Sequence, residues 1–220
     1  MKIIAHRGIY DKYKPNTKEA LLQALNESYI DGIELDIRIT KDKKIVIIHD
    51  PVINFISNGS GIVKKLTYKK LLKYNFGTKE NPSKILLLDD FLKMIKTDKI
   101  ILIDIKEETN NYKILIKKLV SIILKYNLNI YICSFNYELI KEIKNYKTGL
   151  IIGKNINKKR KYNHFTFNVI HIDSEYKTKK ETFIWGVDSK NFSKIKNNKA
   201  YIITDYPKDV YKLIYEPPPK

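Results

Sequence analysis

The chain of 220 residues has one cysteine, three arginines and no long apolar run. The lone Cys133 excludes an internal disulfide and leaves no cysteine cluster for zinc. No stretch reaches the roughly 18 apolar residues of a membrane span. The opening Met1-Lys2-Ile3-Ile4-Ala5 is too short for a signal-peptide core and charge follows at once, so a cytoplasmic location is expected. Acidic residues are also scarce, 24 against 42 Lys and Arg, for a formal charge of +18. Such a charge invites a nucleic-acid partner, but the composition argues otherwise. Beyond Arg7, Arg38 and Arg160 the excess is lysine, accompanied by asparagine, isoleucine and tyrosine, the set an A/T-rich coding sequence produces. The lysines are spread along the chain. Their two clusters, Lys158-Lys159-Arg160-Lys161 and Lys177 to Lys180, sit in polar, loop-like stretches. A solvated surface without nucleic acid is the expectation, with an anionic membrane surface as the second reading.

An apolar content of 43% supports a packed core. The length suits one barrel-sized domain over 1–215. Apolar β-type runs recur at 2–5, 32–38, 45–49, 99–105, 129–134, 149–152, 167–172, 183–187 and 200–204. Helical stripes separate several of them. The clearest spans Asn110 to Tyr126, with Ile114, Leu115, Leu119, Ile122 and Ile123 at helical spacing. Thr17 to Ser28 and Asn136 to Asn145 read likewise, Thr17 as a cap. Strand–helix alternation predicts an α/β fold with a parallel sheet, and eight units close a TIM (β/α)8 barrel. Nine runs are one too many. Only six residues separate Arg38 from Ile45, too few for a parallel crossover, so the second and third runs form a hairpin with its tip near Asp42. That folding brings Glu34 and Asp36 level with His49. Residues 52–85, with the turn Asn58-Gly59-Ser60-Gly61 and a short helical pattern at Thr67 to Tyr74, read as an insertion after the third strand, over the barrel top. No internal repeat is evident, and 216–220 reads as an extended tail.

Glu34 and Asp36 point to one face of their strand. Two carboxylates ending an apolar run repel each other and are costly to bury without a cation, so they suit one divalent ion, Mg²⁺ or Ca²⁺. A solvent-facing edge, or pairing with lysines, is the plain alternative. Asp104 ends the strongly apolar Ile100-Ile101-Leu102-Ile103 run, with Lys106 on the same face. It either pairs with Lys106 or completes the metal set, leaving Lys106 for phosphate. His6 and His49 each end an apolar strand, as an acid–base pair would. Arg7 offers a planar fork for phosphate oxygens. His164 and His171 read as structural or surface residues. Trp185 lines a pocket or packs in the core.

These segments resemble, in order, the motifs of the glycerophosphodiester phosphodiesterase family. His6-Arg7-Gly8 resembles its opening motif, and Pro15-Asn16-Thr17 with Glu19-Ala20 its first helix start. Glu34-Leu35-Asp36 and His49-Asp50-Pro51 resemble its metal and second-histidine motifs. Asn58-Gly59-Ser60-Gly61, Leu88-Asp89-Asp90, Ile103-Asp104-Ile105-Lys106, Ser134-Phe135, Trp185 and Thr204-Asp205-Tyr206-Pro207 continue the series. The resemblance implies a TIM barrel and a metal-dependent phosphodiesterase that cuts small-molecule glycerophosphodiesters to glycerol 3-phosphate and an alcohol through a cyclic phosphate. It implies His6 and His49 as acid and base, Glu34, Asp36 and Asp104 as metal ligands, and Arg7 and Lys106 on the phosphate.

The chain departs from the family pattern in four places. The Pro-Asn-Thr segment lacks a glutamate. Asp104 stands where glutamate is usual, so a cation must sit closer to that strand or be reached through water. Ile53-Asn54-Phe55-Ile56 replaces an acidic-Arg-Thr stretch, and Trp185-Gly186-Val187-Asp188 replaces Trp-Thr-Val-Asn. The last two bear on substrate choice. Lysophospholipids or a glycerophosphate polymer are the alternative substrates, and a phosphate-binding barrel without turnover is the alternative of a different class.

Overall fold

Side chains alternate in and out along a strand, and in this chain both faces of most strands are apolar, as a sheet covered on both sides requires. The computed structural model describes residues 1–107, 112–154, 165–196 and 199–216. Its strands, in chain order, are β1 (Lys2–His6), β2 (Gly32–Ile39), β3 (Ile45–Ile47), β4 (Leu86–Leu87), β5 (Ile100–Ile105), β6 (Asn129–Ser134), β7 (Lys147–Ile152), β8 (Phe167–His171), β9 (Glu181–Trp185) and β10 (Tyr201–Thr204). Eight of them close a parallel ring in the order β1-β2-β5-β6-β7-β8-β9-β10, with β10 pairing back onto β1. The TIM-barrel expectation holds.

The remaining two strands hang outside the ring. β3 runs antiparallel to β2, with Ile47 opposite Ile37 and Ile45 opposite Ile39. This is the hairpin that the short spacing demands. It stops at Ile47, two residues before the end of the apolar run. The Ile48 amide still donates to the Asp36 carbonyl (2.9 Å), and the His49 carbonyl is taken instead by Arg38 Nε (2.6 Å). β4 pairs antiparallel with β3. Two residues give no periodicity, so the sequence pattern does not reveal it.

The helices are α1 (Lys18–Asn26), α2 (Tyr68–Leu71), α3 (Leu88–Met94), α4 (Tyr112–Ile123), α5 (Tyr137–Ile140) and α6 (Pro207–Tyr215). Thr17, Thr67 and Asn136 cap α1, α2 and α5 by accepting a backbone N–H from three residues on. α5 ends well short of Asn145, which takes a left-handed φ of 64° just before β7. The loop from 172 to 180, which holds Lys177 to Lys180, has no helix. The first residues of the Asn110–Tyr126 pattern, the Lys158–Lys161 cluster, His164 and all of the tail beyond Glu216 lie outside the described residues. Among those described, no helix is long and apolar enough to cross a membrane.

Two apolar layers follow from the alternation. Ile101, Ile103 and Ile105 of β5 face outward and pack with Leu115 and Leu119 of α4. Ile100 and Leu102 face inward and fill the barrel with Ile4, Tyr131, Phe167 and Phe183. Gly149 makes room for this filling, since a Cβ there would lie 2.3 Å from the Phe167 ring. Residues 52–85 add a third cluster, in which Ile53, Val63, Leu71 and Phe76 close over Val46 and Ile48.

Phe167 is fully buried at the centre of the barrel filling. Phe167→Ala is expected to lower stability by about 3–5 kcal/mol, read as a reduced urea midpoint with unchanged slope. A loss below about 1 kcal/mol would mean that the interior is not packed as described.

Candidate active site

The same alternation that fills the barrel turns polar at the carboxyl end of the ring. Strand register does the assembly. His6 of β1 stands opposite Glu34 of β2, Asp36 of β2 opposite Asp104 of β5, and Asp104 opposite Cys133 of β6. Glu34, Asp36 and Asp104 are all buried, and one oxygen from each lies within 4.8 Å of the others. Two cations reach them. Arg7 Nε is 3.0 Å from Asp36 Oδ2, and Lys106 Nζ is 2.5 Å from Asp104 Oδ2 and 3.2 Å from Asp36 Oδ1.

Three buried carboxylates thus face two cations, and one negative charge is left over. Its consequence appears in the proton affinities. Burial, with Asp36 and Asp104 beside it, lifts the Glu34 carboxyl well above the usual range. Burial also lifts Asp104 to about 6, even against Lys106. Burial acts on Asp36 in the same direction, but Lys106 and Arg7 outweigh it and hold Asp36 below its ordinary value. Asp36 is therefore the acid held most firmly as an anion, while Glu34 and Asp104 take up a proton more readily than ordinary carboxyls. A hard divalent ion fits this donor set of clustered carboxylate oxygens. Asp104 Oδ1 in particular is buried without a hydrogen-bond partner among the described residues. The pairing of Asp104 with Lys106 is present through one oxygen, and the other has no hydrogen-bond partner among the described residues.

The loop after β1 locks the first cation. Arg7 sits at a left-handed φ of 59° and Gly8 at 93°. A Cβ on Gly8 would come 2.5 Å from the Ala20 backbone, so this tight turn against α1 requires glycine. The Arg7 amide donates to the Glu34 carbonyl at 3.0 Å. Asn16, also left-handed at 62°, donates from its amide to the Arg7 carbonyl (3.0 Å) and from Nδ2 to Asp36 Oδ2 (2.7 Å), and its Oδ1 accepts from the Asp36 amide (3.2 Å). Two of the four left-handed non-glycine residues among those described, Arg7 and Asn16, thus stand where the charges meet.

Each histidine is held through Nδ1 by a carboxylate. His6 Nδ1 lies 2.5 Å from Asp205 Oδ1, which also accepts from the Tyr10 hydroxyl at 2.5 Å. His49 Nδ1 lies 2.6 Å from Asp50 Oδ1. Burial works against the Asp205 charge, but the bonds from His6 and Tyr10 keep its carboxyl below the usual range. It is an acceptor, so the His6 hydrogen is on Nδ1 and Nε2 is left for chemistry. Burial also pushes the His49 imidazole below its ordinary pKa, which keeps it neutral near neutral pH.

His6, His49, Arg7, Glu34, Asp104 and Lys106 line one cavity of about 160 Å³, with Leu102 and Ile203 deeper in and Phe135 and Trp185 also on its wall. Trp185 meets both of its alternatives. It lines the cavity and also packs edge-on against His171, with centroids 4.5 Å apart. His171, expected to be structural, is buried on β8, and its Nδ1 accepts from the Asp173 amide at 3.1 Å. Sequence reasoning gave no role to Asp205, Tyr10, Asn16 or Phe135. Three of the four stand inside segments that resemble family motifs, but Asp205 is 199 residues from His6 and only ring closure makes them neighbours.

The family model for the glycerophosphoryl diester phosphodiesterase family matches residues 6–180. A glycerophosphodiester phosphodiesterase of Caldanaerobacter subterraneus subsp. tengcongensis is 30% identical over 96% of this chain and 97% of its own length. The fold is similar to that of an Oleispira antarctica phosphodiesterase solved in complex with the product sn-glycerol-3-phosphate, with a TM-score of 0.83, 18% identity and coverage of 97% of this chain and 96% of that one. It is also similar to a glycerophosphodiester phosphodiesterase from Thermotoga maritima, with a TM-score of 0.75, 23% identity and coverage of 96% and 97%. Family model and full-length relative agree, and the chain belongs to the glycerophosphoryl diester phosphodiesterase family.

Proposed function

We propose that this chain hydrolyses small-molecule glycerophosphodiesters to glycerol 3-phosphate and an alcohol, with His6 and His49 as the acid–base pair. The observation that carries this reading is the pair of imidazoles, each oriented through Nδ1 by a carboxylate and both facing a cavity whose wall holds Glu34, Asp104 and the two cations, with Asp36 paired to those cations. One histidine takes the proton of the glycerol 2-hydroxyl as that oxygen attacks phosphorus, and the other protonates the departing alkoxide. Water then opens the cyclic phosphate with the two roles exchanged. Arg7 and Lys106 hold the non-bridging oxygens, where charge builds in the transition state. Glu34, Asp36 and Asp104 would hold one divalent cation, Mg²⁺ or Ca²⁺, which when bound supplies further positive charge to those oxygens. Trp185 offers a flat wall for the glycerol carbons. The sn-glycerol-3-phosphate of the Oleispira complex is the product this chemistry releases, which supports the assignment.

Release of glycerol 3-phosphate from glycerophosphoglycerol is the direct test. His6→Ala and His49→Ala are each expected to lower kcat by about 10²–10⁴-fold with the fold intact. Full turnover in either variant would remove that histidine from the mechanism.

Asp205 acts through His6 as a positioning residue. Asp205→Asn is expected to lower kcat by about ten- to a hundredfold while KM changes little, because the substrate-facing groups stay in place. A change confined to KM would contradict that role.

Metal binding is expected to depend on pH in one direction. Protons on Glu34 and on Asp104, whose pKa is about 6, compete with the cation. A raised carboxyl pKa favours the metal-free fold at low pH, and that contribution fades as pH rises through about 6. Above that range the cation replaces it, by about 2.7 kcal/mol at a hundred times its Kd. Mg²⁺ or Ca²⁺ should therefore raise Tm more at pH 7.5 than at pH 5. Equal shifts at both values would place the ion elsewhere.

A further inference from the structure

A second pocket opens on the other side of Arg7 and His49. It has a volume of about 110 Å³ and shares only those two residues with the central cavity. A phosphodiester has two arms, and a phosphate held at Arg7 beside His49 sends one into each space. The central cavity is a blind hole, because the barrel below Leu102 and Ile203 is filled by Ile4, Ile100, Phe167 and Phe183. It suits the arm of fixed size, the glycerol. The second pocket lies between the loop after β1 and the end of the 52–85 insertion, and exposed Lys84 stands on its wall. It suits the arm that varies.

Three cations stand on the walls of that pocket. Lys14 comes from the loop after β1, Lys84 from the end of the insertion, and Arg7 from the shared edge. The two segments are joined by Asn81 Nδ2 donating to the Lys12 carbonyl (3.3 Å) and by Ser83 Oγ donating to Glu19 Oε2 (2.9 Å). Lys84 Nζ is steadied by the Tyr74 carbonyl at 3.2 Å, and Lys14 has no ion-pair partner among the described residues. The one acid on the wall, Asp50, is already engaged by His49. The one aromatic, Phe76, is buried among aliphatic residues. A quaternary ammonium needs open aromatic faces or a free carboxylate, and this pocket offers no open aromatic face and only the one carboxylate that His49 already shares. Ile56 stands on its wall, contributed by the stretch that departs from the family pattern.

We infer that this pocket receives the alcohol half of the diester and selects an alcohol that carries its own anionic group, a second phosphate, over choline or ethanolamine. The inference rests on the phosphodiesterase reading above. Lys14 and Lys84 hold the second phosphate, and Ile47, Ile48 and Ile56 cover the carbon skeleton that joins it to the scissile ester. The selection acts mainly on KM, because the lysines touch a remote group and not the reacting atoms.

Three diesters separate the outcomes, assayed with the full-length chain and Mg²⁺: glycerophosphocholine, glycerophosphoglycerol, and glycerophosphoglycerol whose distal glycerol carries a phosphate monoester. The expected order of kcat/KM places the phosphate-bearing diester at least about tenfold above the choline diester, with an advantage that shrinks as salt rises. Lys14→Ala and Lys84→Ala should each reduce the ratio between those two substrates by raising KM for the phosphate-bearing one, and Lys84→Arg should restore most of it. Thermal melting of each variant identifies any that fail to fold, and the wild-type substrate ratio stands without them. Turnover of all three diesters with equal kcat/KM, or a preference for choline, would overturn the pocket assignment while leaving the phosphodiesterase reading intact. Turnover of none by folded protein would overturn that reading itself.

Discussion

Everything at the barrel mouth depends on one imbalance of charge. Glu34, Asp36 and Asp104 are buried within a few ångströms of one another, and Arg7 and Lys106 neutralise only two of the three. A buried, uncompensated carboxylate is costly. It either takes a proton, as the raised affinities of Glu34 and Asp104 express, or waits for a cation. With all three acids ionised, a divalent ion would convert the site from one negative charge in excess to one positive. A phosphodiester monoanion is then attracted to a place that would otherwise repel it. The acids are thus at once the least stable part of the barrel interior and the part that prepares it for phosphate.

The fold holds that imbalance by backbone geometry. Parallel register between β1, β2 and β5 puts His6 opposite Glu34 and Asp36 opposite Asp104, and those pairings cannot slip without turning every inward residue outward. The β2–β3 hairpin returns the chain to the level of Asp36, where His49 leaves the sheet. The left-handed turn at Arg7 and Gly8 and the clamp of Asn16 on Asp36 fix the third approach. The strain at Arg7 and Asn16 is supported by the packing of α1 and by the apolar filling below.

Much of this was legible in the sequence because it follows from local period and spacing. Two-residue alternation places Glu34 with Asp36 and Asp104 with Lys106, and a six-residue gap allows only a hairpin. Capping by Thr17 is a local hydrogen bond and could be read directly. What stayed hidden depends on closure of the ring. Asp205 meets His6 only because β10 pairs with β1, and Tyr10 joins them only through the turn at Gly8. The length of α5 was overread because the apolar stripe at Leu139, Ile140 and Ile143 continues past the helix: Ile143 is buried from the turn that leads into β7. That only one Asp104 oxygen pairs with Lys106 was likewise beyond reach, since alternation places a side chain on a face but not its separate atoms.

Calorimetric titration of the metal-free protein with Mg²⁺ or Ca²⁺ at pH 6, in two buffers of different ionisation enthalpy, tests the charge imbalance most directly. Binding should release protons to the buffer as the cation displaces them from Glu34 and Asp104. Glu34→Gln and Asp104→Asn should each reduce that release and weaken binding. Tight binding with no proton release, or a release unchanged in both variants, would contradict the account.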